Sequence, residues 1–288
     1  MKVSIIVPTL REKLLDGLLR SIDLGAQGVE HEIVVISPFS PKGRLIVWLK
    51  EDVPQGTCNA IARGYEAASG DIIVLLSDDV LVTRGWLRHI VDFIVTHERN
   101  HFPFVAGQNK SGNYFGTVYG LYYPYYPAIS RASAEAVGGL FSREFISHYG
   151  DPDLGLRVWR NGGRAQLCYQ SKLIFSSIER YFSAAPKKSM AFDVDFRAFK
   201  AKWSSTYGVG WGAGFRDVNR DYKLVSLVDG SYFNNAPPTD TYAEPTHNDW
   251  LEAPLLRKAG MYVVEHASSS TIASITKLTH TLRTLSRR

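Results

Sequence analysis

The clearest break between apolar and polar positions along the chain falls at residues 72–79. Five apolar residues, 72–76, run without interruption and are followed by Ser77, Asp78 and Asp79. Such a run is typical of a strand buried on both faces, as in a parallel sheet covered by helices. Ligands of open α/β sheets bind beyond the carboxyl ends of the strands, so we expect a site at these two acids.

Strands and helices are predicted to alternate on both sides of this strand. Apolar runs predict strands at 3–7, 33–36 and 45–49, and apolar spacings of three and four predict a helix around 14–22. A helix of small residues is predicted at 57–69. This alternation predicts an α/β fold with a Rossmann-like, doubly wound, mostly parallel sheet that has helices on both faces.

The second half of the chain has a weaker pattern. Residues 185–203 predict an amphipathic helix, whereas the glycine-rich stretch 208–214 follows neither period. We expect a first domain over 1–180 and a mainly helical or irregular extension over 181–288. The extension ends in a basic amphipathic helix, 268–288, which either lies on an anionic membrane surface or packs on its own domain or on a second subunit of a homodimer.

Composition narrows the classes of partner. Lys and Arg total 33 against 28 Asp and Glu, a net charge of +5 that suits anionic ligands or an anionic membrane surface. No zinc-finger or helix-turn-helix pattern occurs, so no nucleic-acid partner is expected. Cys58 and Cys168 lie far apart, which fits a reducing compartment. With no secretory signal and no long apolar span, we expect a cytoplasmic protein, peripheral at the membrane if the terminal helix binds there.

Two sets of acids could carry chemistry. Asp78 and Asp79 can bind a hard divalent cation, Mn²⁺ or Mg²⁺, that neutralises a diphosphate; the alternative is a solvated Asp-Asp turn. Asp151 precedes Pro152 at a predicted helix start, which suits an N-cap as well as a general base.

Several short motifs occur in an order and spacing that resemble one enzyme family. The opening strand Val3–Thr9, the segment Ser77–Asp79 and the helix start Tyr149–Arg157 resemble the first strand, the DxD motif and the catalytic-acid segment of family 2 glycosyltransferases of GT-A fold. The other matching positions are Leu10–Glu12, Leu15, Leu19, Ser21, Ile22, Gly56, Ala60, Gly64, Gly70–Asp71, Gly85–Leu87, Ile129–Arg131 and Gly138–Phe141. The resemblance covers about residues 1–176.

This resemblance implies an inverting glycosyltransferase that moves a sugar from a nucleotide-diphosphate sugar to a hydroxyl of a glycan or lipid-linked glycan, as in polysaccharide biosynthesis. It implies Asp151 as the general base. Asp153 is then structural or an acceptor contact, and Arg157 is placed to pair with it four residues on. The residues expected to bind the nucleotide sugar are Pro8, Thr9, Arg11, Glu12, Gly56, Asn59, Ser77, Asp78 and Asp79.

Some positions depart from the family pattern. The second strand ends at Ser37 where relatives commonly carry an acid, Gly150 replaces a common Glu, and no His follows Phe175. The nucleotide base is therefore unassigned. His247, in a polar loop, is a candidate third metal ligand; the alternative is a solvated histidine.

Other interpretations stay open. Arg11 and Glu12 also fit an exposed first helical turn, where Glu favours the helix dipole. A sugar nucleotidyltransferase shares a related sheet, but the first strand is not followed by a glycine-rich loop containing Lys or Arg. A carbohydrate- or nucleotide-binding protein without turnover is the third alternative.

Overall fold

A computed structural model describes residues 1–26, 28–110, 116–118, 121–175 and 188–203. The ten strands of this part are β1 Val3–Pro8, β2 His31–Ser37, β3 Ile46–Lys50, β4 Ile72–Leu75, β5 Val80–Val82, β6 Phe104–Lys110, β7 Gly116–Val118, β8 Leu121–Tyr123, β9 Ala128–Ser130 and β10 Arg164–Phe175. Its six helices are α1 Glu12–Gly25, α2 Thr57–Ala67, α3 Trp86–Glu98, α4 Arg131–Ala136, α5 Gly150–Arg160 and α6 Lys188–Trp203.

Eight strands form one sheet in the order β3-β2-β1-β4-β9-β6-β10-β5, and β7 pairs with β8 in a separate hairpin. The pairs β3–β2, β2–β1, β1–β4 and β6–β10 are parallel. Strand β9 is antiparallel to both β4 and β6, and β5 is antiparallel to β10. Six of the eight strands therefore share one direction, which confirms the predicted α/β class with a mostly parallel sheet.

The two faces of the sheet have separate cores because side chains alternate along each strand. On β1, Ile6 packs in a cluster with residues of α2, α5 and α6, whereas Ile5 and Val7 pack with residues of α1 and α3. All three side chains are fully buried. Burial on both faces explains why these strands are uniformly apolar in sequence.

The helix predicted at 185–203 is confirmed as α6, and its Phe199 and Trp203 lie in the same core as Ile6. The domain boundary near residue 180 stays a prediction. The glycine-rich stretch 208–214, His247 and the basic helix 268–288 lie outside the described residues. Within the described part, no helix is both long enough and apolar enough to cross a membrane.

Candidate active site

Ser77, Asp78 and Asp79 lie just beyond the carboxyl end of β4, as the sequence predicts. Both acids are buried, with residue exposures of 3% for Asp78 and 2% for Asp79. An ionised carboxylate taken out of water must be compensated by charge and hydrogen bonds. The partners of the two acids therefore define the chemistry of the site.

Asp78 is held by the segment that follows β1. Thr9 Oγ1 donates to Asp78 Oδ2 at 2.6 Å, and Arg11 Nε donates to the same oxygen at 3.0 Å. A second guanidinium nitrogen of Arg11 donates to Asp78 Oδ1, which makes a bidentate pair. Because β1 and β4 are neighbouring parallel strands, their carboxyl ends meet and bring these residues together.

Asp79 has a different set of contacts. Its Oδ1 accepts a hydrogen bond from Ser77 Oγ, and its Oδ2 lies 3.8 Å from Arg11 Nη2. Ser77 Oγ is also 3.3 Å from the hydroxyl of Tyr126. Arg11 thus offsets the charge of both acids, a role that the sequence did not indicate, since it predicted Arg11 as a nucleotide contact.

The two acids fit a cation that is completed by its substrate. Among the described residues, no group of three or more His, Cys, Asp or Glu side chains could hold a metal ion. Magnesium-like ions, however, are commonly held by one or two carboxylates, with substrate phosphates and water as the remaining ligands. Asp79 can supply one such carboxylate, whereas both oxygens of the neighbouring Asp78 accept hydrogen bonds from Arg11 or Thr9 in this structure.

Asp151 is the second residue of α5, not its N-cap. The N-cap is Tyr149, whose φ of 66° is left-handed, so the interpretation of Asp151 as an N-cap is wrong. In the first turn its carboxylate still benefits from the positive end of the helix dipole. Burial is the main cause that raises the pKa of Tyr126 and of Cys58, and the charge of Asp151 adds to both. The charge of Asp151 thus reaches both Tyr126 and the start of α2.

Asp153 is confirmed as a structural residue. It is fully buried and accepts hydrogen bonds from Arg157 Nε at 2.8 Å and from Trp203 Nε1 at 2.9 Å. The predicted pair with Arg157 at four residues is thus present. Lys202 Nζ, at 2.9 Å, completes the compensation of this buried charge and ties α6 to α5.

The other predicted binding residues have local roles. Pro8 ends β1, and Glu12 is exposed at the start of α1. Gly56 precedes α2 with φ of 102°, and a Cβ there would lie 2.2 Å from the carbonyl oxygen of Ile146. Asn59 Nδ2 donates to the Gln55 carbonyl at 3.2 Å. Gly56 and Asn59 therefore shape the start of α2.

Two positioning residues were missed by the sequence analysis. Asp195 on α6 is fully buried, and its carboxylate accepts the backbone amides of residues 146–148 at 2.8–2.9 Å, which fixes the loop before Asp151. Gln108 on β6 is also fully buried and bonds the carbonyls of Leu75 and Tyr126. Neither residue stands in a motif, so the local sequence carries no signal for them.

The α/β fold and the two buried acids beyond β4 agree with what the sequence resemblance implies. The family model described as "Glycosyl transferase family 2" matches residues 4–134, which include β1, Asp78 and Asp79. Residues 4–134 of this chain are thus similar to the family 2 glycosyltransferases.

A further similarity is to a mannosyltransferase. A dolichol-phosphate mannosyltransferase of Pyrococcus furiosus is 33% identical in an alignment of 92 residues that covers 28% of this chain and 26% of that protein. The match thus spans about a quarter of the curated relative's length.

Two solved structures share the fold. Staphylococcus aureus TarS 1-349, in complex with UDP-GlcNAc, matches with a TM-score of 0.55 and 16% identity over 80% of this chain and 75% of that one. Mannosyltransferase PcManGT of Pyrobaculum calidifontis, with GDP-Man and Mn²⁺, matches with a TM-score of 0.54 and 15% identity over 96% of this chain and 79% of that one.

Proposed function

We propose that the protein transfers a sugar from a nucleotide-diphosphate sugar to an acceptor hydroxyl with inversion at the anomeric carbon. The observation that carries the proposal is the buried carboxylate pair Asp78 and Asp79 beyond the carboxyl end of β4. The charge of Asp151, in the first turn of α5, acts on Tyr126, as does that of Asp78. The family 2 match over residues 4–134 supports the reaction class.

Residues at the ends of β1 and β4 would bind the diphosphate. A divalent cation, Mn²⁺ or Mg²⁺, held by Asp79 with Asp78 beside it would neutralise the negative charge that develops on the leaving diphosphate. Arg11 already lies between the two acids, and its guanidinium can contact phosphate oxygens while it remains near Asp78. Thr9 fixes the Asp78 carboxylate so that this arrangement exists before the donor binds.

Asp151 would act as the general base. The acceptor oxygen attacks the anomeric carbon from the face opposite the diphosphate, and the bond between that carbon and the diphosphate oxygen breaks. Its electron pair leaves with the diphosphate, and the hydroxyl proton passes to the Asp151 carboxylate. Proton transfer of this kind contributes about 10²–10⁴-fold to rate.

The similar proteins suggest which donors and acceptors to test. The two solved structures contain UDP-GlcNAc and GDP-Man with Mn²⁺, so UDP- and GDP-sugars are the donors to test first. The name of the similar dolichol-phosphate mannosyltransferase points to a lipid phosphate, so a lipid-linked glycan is the acceptor to test beside a free glycan. Membrane contact or dimer formation through 268–288, and a third metal ligand at His247, stay predictions.

The test is the variant Asp151→Asn, assayed for release of nucleoside diphosphate and for donor binding. We expect turnover to fall by about 100-fold or more while donor affinity stays within about threefold, because the base acts on the acceptor. Asp23→Asn, an exposed acid on α1, is the control and should behave as wild type.

Three other outcomes would each contradict one part of the proposed function. Turnover retained in Asp151→Asn contradicts the base assignment. Wild-type protein that binds a donor but never releases nucleoside diphosphate supports a binding protein without turnover. A product whose anomeric configuration matches the donor, measured by NMR, contradicts inversion.

A further inference from the structure

Tyr126 has a backbone conformation that needs to be held in place. It lies between β8 and β9 with φ of 47°, in the left-handed region that residues other than glycine seldom adopt. It also precedes Pro127, and a residue before proline favours extended backbone. The surrounding structure therefore imposes this conformation, and such imposed conformations cluster at functional sites.

Gln108 supplies much of that restraint. Its Nε2 donates to the Tyr126 carbonyl at 2.7 Å and to the Leu75 carbonyl, at the end of β4, at 3.2 Å. Its backbone amide donates to Tyr125 O at 2.9 Å, and its Oε1 accepts from Trp86 Nε1 at 2.5 Å. The buried side-chain amide of Gln108 therefore links Tyr126 to β4, the strand that leads into Asp78 and Asp79.

The donor in the hydrogen bond between Tyr126 and Ser77 can be deduced, because the hydroxyl of Ser77 has only one proton. A serine hydroxyl has one proton, and Ser77 gives it to Asp79 Oδ1. At the 3.3 Å contact Ser77 Oγ must then accept, so the Tyr126 hydroxyl donates. Burial raises the pKa of Tyr126 to about 12, so this hydroxyl keeps its proton at neutral pH. The chain of donors thus runs from Tyr126 through Ser77 to Asp79.

We propose that Tyr126 is a positioning residue for the Asp79 carboxylate and acts through Ser77. By fixing Oδ1, the two hydroxyls direct Oδ2, the oxygen that faces Arg11, towards a bound cation. The inference rests on the proposed function, because it assigns Asp79 as the metal ligand. Residues that orient metal ligands in this way are commonly needed for full metal affinity.

The test is a double-mutant cycle of Tyr126→Phe and Ser77→Ala. Manganese is titrated by calorimetry into each protein with excess GDP and, separately, excess UDP. We expect about a 10-fold loss of manganese affinity in each single variant. The double variant should match Ser77→Ala within about twofold, because the proposed effect of Tyr126 on Asp79 passes through the Ser77 hydroxyl. Tyr65→Phe, which removes a hydroxyl on α2, is the control and should match wild type.

A second readout separates positioning from folding. Thermal unfolding without metal should place Tyr126→Phe within about 3 °C of wild type, and nucleotide affinity without manganese should be unchanged. The positioning role alone is overturned if the losses of manganese affinity add in the double variant. It is also overturned if Tyr126→Phe binds manganese as tightly as wild type. Wild-type protein that binds neither nucleotide in the presence of manganese overturns the proposed function itself.

Discussion

Glu32 is a buried charged side chain near the amino-terminal end of β2, at the end of the strands opposite Asp78 and Asp79. It is 8% exposed and accepts hydrogen bonds from Lys2 Nζ at 2.5 Å, Ser4 Oγ at 2.6 Å and the Ser69 amide at 2.7 Å. Burial alone would raise its pKa, but these donors outweigh burial and lower the pKa to about 2. Glu32 thus joins β1, β2 and the segment before β4.

Glu32→Gln should alter the acid stability of the protein. The folded pKa of about 2 lies below the ordinary value of 4.5, so Glu32 stabilises the fold above about pH 4.5 and loses that contribution as pH falls towards 2. We expect the variant to be less stable by about 2–3 kcal/mol at pH 7, with a difference from wild type that shrinks between pH 4.5 and 2.

Urea unfolding at a series of pH values measures this difference. Glu30→Gln, an exposed neighbour, is the control and should follow wild type at every pH. A Glu32→Gln deficit that stays constant down to pH 2 would contradict the assigned pKa.

The loop before α5 is held from two sides by other elements. Cys58 at the start of α2 donates its backbone amide to Ile146 O at 3.0 Å, and Gly56 leaves room for that carbonyl. From the other side, Asp195 on α6 binds the amides of 146–148. The position of Asp151 therefore depends on α2 and α6 as well as on its own helix.

Gly56→Ala should disrupt this contact. Its Cβ would meet the carbonyl oxygen of Ile146 at 2.2 Å, and its φ of 102° disfavours any residue with a Cβ. We expect a loss of about 2–4 kcal/mol in the free energy of unfolding, measured in urea.

Gly17→Ala is the matched control. Gly17 lies in α1, and a Cβ there would meet Leu81 at an ordinary 3.8 Å. That variant should be neutral or slightly more stable, because alanine favours helix. Equal stabilities of the two variants would contradict the close contact at Gly56.

Sequence reasoning succeeded where the physical cause is local. The strands β1, β2 and β4 are buried on both faces, so their apolar runs gave their positions within a few residues. The pairing of Asp153 with Arg157 follows from helical spacing. Asp195 and Gln108 act across long separations, and a polar residue on an amphipathic helix or strand gives no sign that it is buried.

The order of the strands brings the site together across the domain. Because β1 lies beside β4, Thr9 and Arg11 contact Asp78. The sequence predicts that the carboxyl ends of the strands meet, but it does not indicate which side chains form the contacts. The charges of Asp78 and of Asp151, in the first turn of α5, both act on Tyr126.

Calorimetric binding of GDP, UDP, dTDP and CDP, each with and without manganese, should be measured first on wild type and Asp79→Ala. Asp71→Asn, at the opposite end of β4, is the matched control. We expect one nucleotide to bind only with manganese, Asp79→Ala to lose at least about 10-fold in affinity, and the control to match wild type. No binding of any nucleotide, or binding unchanged by Asp79→Ala, would contradict a nucleotide-sugar site at Asp78 and Asp79.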